Sequence, residues 1–132
     1  MTFETIKEDN KILAIVVTKG SVNEALNFIT PDDFGLQVGI HNRPKNTVVA
    51  AHEHMDFEKV EKLPSQEIFY IESGKVKVGI FQDKKRIRNI ILSSGDMIIL
   101  NAGHDVEFLE DSKMIEIKQG PYRGNEKEKK YL

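Results

Sequence analysis

Two histidines two residues apart, His52 and His54, a carboxylate at Glu67 and a third imidazole at His104 are the side chains best suited to chemistry in this chain. Imidazole nitrogens and one carboxylate oxygen together suit a first-row divalent metal, and such a centre leaves positions open for water or substrate. The i, i+2 spacing puts both imidazoles on one face of a β-strand, whereas on a helix they would point to nearly opposite sides. The run Thr47-Val48-Val49-Ala50-Ala51 that leads into them is β-branched and small, so a strand over Thr47 to His54 is expected. Glu67 opens a second strand-like run, Glu67-Ile68-Phe69-Tyr70-Ile71, in which alternation puts Phe69 and Ile71 on the face of Glu67.

The rest of the chain supplies short strands to hold these groups. Ile12 to Val17 suits an N-terminal strand, and Ser21-Val22-Asn23-Glu24 offers a capping box to a brief helical turn that Pro31-Asp32-Asp33 ends. From Phe34 onward the pattern becomes strand, turn, strand. Phe34 to Asn42 and Thr47 to His54 flank Arg43-Pro44-Lys45-Asn46, while Glu67 to Glu72 and Val76 to Phe81 flank Ser73-Gly74-Lys75. Arg86 to Leu92, Met97 to Asn101, Val106 to Glu110 and Lys113 to Gln119 follow at similar spacing, which indicates a β-sandwich or barrel. Gly120 to Leu132, with Pro121 and the run Glu126-Lys127-Glu128-Lys129-Lys130, reads as a charged tail.

The motifs now named resemble those of the cupin superfamily. Its first motif spaces a glycine, an H-x-H pair, a glutamate and a second glycine, and its second usually ends in P-x-G-x-x-H. His52, His54, Glu67 and Gly74 match the first, with six residues between Glu67 and Gly74, and Gly95-Asp96-Met97-Ile98-Ile99-Leu100-Asn101-Ala102-Gly103-His104 keeps both glycines of the second. The chain departs from the pattern in three places. Twelve residues, Met55 to Gln66, separate His54 from Glu67; Asn101 stands where proline is usual; Val106 holds the place of the usual third histidine, with His104 two residues earlier. In an extended strand positions 104 and 106 share a face, so His104 is expected to project to the site while Val106 packs below it.

The resemblance implies an all-β fold, a cupin jelly-roll barrel (double-stranded β-helix) of two antiparallel sheets, over residues 34–119, after an N-terminal strand and helical turn over 1–33 and before a tail over 120–132. It implies one divalent transition metal (zinc, iron, manganese or nickel) ligated by His52, His54, Glu67 and His104, and a homodimer. The stretch from Gln66 through His104 to Lys118-Gln119-Gly120-Pro121-Tyr122 is also similar to small cupins encoded with surface-polysaccharide biosynthesis genes. A small-molecule ligand, first of all a sugar or sugar nucleotide, is therefore expected. Three readings stay open: metal-dependent chemistry on that ligand, a non-catalytic binding or accessory module, and a metal-free epimerase- or isomerase-like protein in which a histidine is the base.

Phe69, Arg43 and Tyr122 are the candidate substrate contacts. Phe69 should line the interior, where an aromatic is more often core than contact. Arg43 carries the planar fork that suits a carboxylate or phosphate, although a turn arginine is more often simply solvated. Tyr122 is the residue of the tail placed to fold back over the mouth. Lys84-Lys85-Arg86 sits at a hairpin tip without interleaved aromatics and does not argue for nucleic acid.

Composition narrows the remaining classes. A chain of 132 residues fits one domain, and a net charge of -2 with 30% charged residues exerts no overall pull on nucleic acid or membrane. The absence of cysteine removes disulfides, thiolate ligands and cysteine nucleophiles. The mixed acidic start, Met1 to Glu8, is unlike a signal peptide, and apolar runs such as Ile12 to Val17 are far too short to span a bilayer, so a cytoplasmic location is expected. No serine elbow and no phosphate-cradling glycine loop occurs.

Overall fold

The computed structural model describes residues 3–22, 27–56, 63–121, 124 and 129–132, and among them every regular element is a strand. No helix among them is long and apolar enough to cross a membrane. The Asn23-Glu24 half of the expected capping box lies outside the described residues.

Strand β1 (Phe3–Glu8) pairs with β2 (Lys11–Val17) through a two-residue turn in which Asp9 and Asn10 both have positive φ, 52° and 63°. Both central residues of a type I′ turn need that conformation, and Asp and Asn tolerate it better than most. β3 (Asn27–Phe28) and β4 (Gly39–Ile40) form a small ribbon. β5 (Glu67–Ser73) and β6 (Lys75–Gln82) meet at Gly74, β7 (Lys85–Ser93) follows, and β8 (Met97–Leu100), β9 (Gly103–Phe108) and β10 (Lys113–Lys118) complete the set.

Five strands make one antiparallel sheet in the order β1-β2-β8-β5-β10, and three make a second in the order β7-β6-β9. Their inner faces share one core, with Leu13, Phe69, Ile71, Ile98 and Leu100 from the larger sheet against Val76, Val78, Ile80, Ile90 and Leu92 from the smaller. A second cluster lies on the outer face of the larger sheet, where Ile15, Ile68 and Ile99 are covered by Ile29, Phe34, Leu36, Val38 and Ile40 from the ribbon segment. Strand β8 shows the division plainly: Ile98 and Leu100 belong to the first cluster and Ile99 to the second, as period-2 alternation requires.

The fold is all-β and sandwich-like, with β1 and β10 as the edges of one sheet and β7 and β9 as the edges of the other, so the two sheets do not close into the expected barrel. The cause is the stretch that was expected to be strand over Thr47 to His54. It has no strand assignment and is exposed throughout, and the expected strand over Phe34 to Asn42 shrinks to the two residues of β4. β-branched composition favours a strand only where a partner backbone is present, and here residues 47–56 have none.

Gly74 turns the β5–β6 hairpin at φ +94°, and a Cβ there would lie 2.6 Å from the Asp111 carbonyl oxygen and 2.7 Å from the Ser112 Cα. Backbone cannot move aside as a flexible side chain can. Gly74→Ala is expected to cost about 1–3 kcal/mol of unfolding free energy through the positive φ, measured by urea denaturation; an unchanged midpoint would count against the strained turn.

Between β5 and β10 the register shifts. Lys113 pairs with Ser73 but Met114 pairs with Ile71, which leaves Glu72 as the extra residue of a β-bulge. Beyond it Glu116 pairs with Phe69 and Lys118 with Glu67. Paired residues share a face, so the bulge turns Glu116 and Lys118 toward the inner side and leaves Ile115 and Ile117 outside, 43% and 48% exposed.

Candidate functional site

The open end of the sandwich collects Glu67 and Phe69 from β5, Glu116 and Lys118 from β10 and His104 from β9. His104 pairs with Ile80 and Val106 with Val78, so both project inward from an extended strand, and Val106 packs against the inter-sheet core as expected. The His104 Nε2 lies 3.8 Å from the Glu67 Oε2, both side chains being half-buried. The ring of Phe69 meets His104 edge to face at 5.6 Å between centroids and 81°. Phe69 is 2% exposed, so it forms the floor beneath the imidazole and does not itself reach the opening.

The His104 ring is oriented by its own backbone: Nδ1 lies 3.0 Å from the Ala102 carbonyl oxygen, which can only accept, and this turns Nε2 toward Glu67. Burial pushes the Glu67 carboxyl above its ordinary value; a hydrogen bond with Glu116 and that residue's charge push the same way, while the His104 imidazole and Lys118 pull it back. On the outer face Arg86 grips Asp105 with two bonds, 3.0 and 2.6 Å, across Gly79, and the guanidinium holds the Asp105 carboxyl below its ordinary value. That strap fixes β9 next to the residue that carries the imidazole.

Beside these groups lies a shallow, solvent-open recess of about 30 Å³ lined by Ser65, Gln66, Glu67, Lys118, Gln119 and Lys129. Gln66, 2% exposed, is a three-way clamp: its Oε1 accepts from Leu36 N, its Nε2 donates to Asn101 Oδ1 and its backbone N donates to Gln119 Oε1, while Asn101 Nδ2 in turn donates to Ile12 O. Asn101 thus uses its amide to tie β8 to the mouth, a task proline could not perform.

His52 and His54 are placed together but not here. Their rings lie 5.2 Å apart, and His52 Nδ1 bonds the Ala50 carbonyl at 2.8 Å, the same i to i−2 arrangement as in His104. Both side chains are exposed on the unpaired stretch, as is Arg43, which does not line the recess. Among the described residues no group of three or more histidine, aspartate or glutamate side chains is gathered closely enough to hold a metal ion. Of the four expected ligands, Glu67 meets His104 and His52 meets His54. Tyr122 lies outside the described residues, although the tail does return to the recess at Lys129.

Glu116, Lys118, Gln66 and Lys129 were not among the sequence candidates. In Lys113-Met114-Ile115-Glu116-Ile117-Lys118 alternation offers the isoleucines for the interior, and only the bulge reverses the choice. Replacing Glu116 with Gln should lower the Glu67 midpoint, because an amide donates to the carboxylate where a carboxyl opposed its charge. A raised folded-state pKa gives stability that is fully present below the ordinary value of 4.5 and is lost as pH rises through the folded value, so this loss should be smaller in the variant. Carboxyl ¹³C titration by NMR reads the midpoint directly, and an upward move would refute the upward push assigned to Glu116. Comparison of the chain with family models, curated proteins and solved structures finds no match.

Proposed function

We propose that this chain is a small cupin-like protein that binds a small polar metabolite at the open end of its sandwich and moves a proton on it, with His104 as the base. The observation that carries this reading is the His104 imidazole, its Nδ1 tied to Ala102 and its Nε2 3.8 Å from Glu67. Histidine is the commonest side chain for such transfer, and a neighbouring carboxylate stabilises the imidazolium that forms. Glu67, beside His104 and with its carboxyl pushed above its ordinary value by burial, is the group placed to return a proton to the substrate. Phe69 keeps the imidazole in place from below.

The recess favours a hydroxylated or anionic ligand, because Ser65, Gln119, Lys118 and Lys129 offer hydroxyl, amide and ammonium groups around it. A sugar or sugar nucleotide, isomerised or epimerised beside a carbonyl, is the substrate class that suits both the lining and the acid-base pair. No step is assigned to a metal, since the described donors do not gather into a centre within one chain.

The test is a panel of keto-sugar nucleotides incubated with the purified protein in deuterated water, with and without chelator, followed by NMR for deuterium incorporation. Exchange that survives chelation is the expected result. Saturable binding without exchange would leave a binding or accessory module, and exchange lost on chelation and regained with zinc, iron, manganese or nickel would overturn the metal-free reading.

A further inference from the structure

We propose that the outer face of the smaller sheet carries a second, non-catalytic binding site, centred on Gly79, for a neutral polyhydroxylated ligand the size of a pyranose. Strand register brings its residues together. On that face Gly79 is flanked by Asn89 of β7 and Asp105 of β9, and two residues along Lys77 is flanked by Ile91 and Glu107. His104 belongs to the alternate rung with Ile80, so this face is turned away from the mouth.

A glycine in the middle of a central strand such as β6 weakens it and marks a close approach. What approaches is Arg86 with Asp105. A Cβ at Gly79 would collide with Arg86 Nη1 and Asp105 Oδ1, so the two side chains lie flat across the strand. Arg86 is pinned there: Nη1 donates to Asn89 Oδ1 at 2.8 Å and to Asp105 Oδ1 at 3.0 Å, Nη2 donates to Asp105 Oδ2 at 2.6 Å, and the guanidinium carbon lies 4.6 Å from the centre of the Phe81 ring. Gly79 N adds a bond of 3.2 Å to Asp105 Oδ1. Groups held this firmly lose little freedom when a ligand arrives. Beside them lies an open groove of about 260 Å³ lined by Lys77, Arg86, Asn89, Asp105, Val106 and Glu107. At about 30 Å³ for each displaced water, a six-membered sugar ring fits it.

The lining selects the chemistry of the ligand. It holds two cations and two carboxylates already matched, since Lys77 Nζ lies 2.9 Å from Glu107 Oε1 and Arg86 grips Asp105. A charged ligand would have to break one pair to make another. A hydroxyl would not, because it can donate to a carboxylate lone pair while it accepts from an N–H. Arg86 can only donate, so the Asn89 atom it meets is the oxygen, and the amide nitrogen of Asn89 is the donor offered to the groove. Ile91, 51% exposed and two residues from Asn89 on the same face, offers apolar surface to the C–H side of a sugar ring. Adjacent hydroxyls on a rigid ring match this succession of acceptors, donor and apolar surface. The inference goes beyond the proton-transfer reading and does not rest on it, since the two sites occupy opposite faces of the smaller sheet.

The test is a titration of the ¹⁵N-labelled protein with the methyl glycosides of glucose, galactose and mannose, and separately with inorganic phosphate, followed by NMR. The expected result is a saturable shift, from at least one glycoside, of the Gly79 N–H, the Asn89 side-chain amide and the Arg86 Nε–H. Asn89→Ala and Glu107→Ala change exposed positions outside the core, and each should weaken the affinity about two- to tenfold, the scale of one hydrogen bond. Phosphate that moves the same signals as strongly would make this an anion site and overturn the proposal. Glycoside shifts confined to the side-chain amides of Gln66 and Gln119 would also overturn it while leaving the reading of His104 intact, so the two sites fail separately. No saturable shift at all, or an affinity unchanged in both variants, would count against the outer face in the same way.

Discussion

His104→Ala should lower turnover of the substrate found in the exchange assay by about 10²- to 10⁴-fold, the range associated with loss of a positioned acid or base. The loss should fall in kcat, because the imidazole is asked to act on the reacting proton and the recess that binds the ligand is lined by other residues. His104→Gln should be as inactive, since it restores the size and polarity of the ring without a group that can accept the proton. Stability should change little. The edge-to-face contact with Phe69 is of a kind that contributes about 0.5–1.5 kcal/mol, a minor part of the whole. Steady-state kinetics beside urea denaturation separates the two effects, and an unchanged rate in the alanine variant would remove His104 from the chemistry.

Phe69→Ala should instead be felt as a folding defect. Its side chain is among the largest of the fully buried ones, packed where the inner faces of the two sheets meet, and no neighbour is free to fill the volume. Truncation of a buried phenylalanine costs about 3–5 kcal/mol, against a total of about 5–15 kcal/mol for a typical domain. A substantial fall in the urea midpoint with an unaltered slope is expected, and Phe69→Leu should recover most of it. A midpoint within experimental error of the parent would show that the core does not depend on the ring, and with it the account of the floor under His104 would fail.

The strands that form hairpins were legible because their signals are local. Glu67 to Glu72 and Val76 to Phe81 around Ser73-Gly74-Lys75 match β5 and β6 within a residue or two, and Met97 to Asn101 and Lys113 to Gln119 likewise match β8 and β10. Glycine and aspartate at positions of positive φ mark such turns whatever the rest of the chain does. Thr47 to His54 was legible in composition and not in outcome, since a strand is a relation between two backbones and its partner is not specified nearby. β1 escaped notice because Phe3-Glu4-Thr5-Ile6-Lys7-Glu8 carries too little apolar alternation; it is a sheet edge with mainly Ile6 turned into the core. In the site, the meeting of Glu67 with His104 could be anticipated from spacing and parity, whereas Glu116 and Lys118 could not, because a bulge that reverses a strand's parity leaves no mark in alternation.

That reversal sets cohesion against chemistry in β10. Were the pairing begun at Lys113 and Ser73 to run on in step, Ile115 and Ile117 would lie opposite Ile71 and Phe69, and each isoleucine fully withdrawn from water is worth about 1.5–3 kcal/mol. Glu116 and Lys118 would then face solvent, and Glu67 would lose both neighbours on β10. The chain is therefore frustrated at this one strand: the oilier alignment is a competitor in which the sandwich holds together and the mouth is chemically blank. What tips the balance sits at the two ends, where Lys113 pairs with Glu72 at 2.7 Å and Gln119 accepts from the backbone of Gln66 at 2.8 Å. Selection for stability alone would push this strand toward the blank alignment, against which the tie from Gln119 to Gln66 holds it.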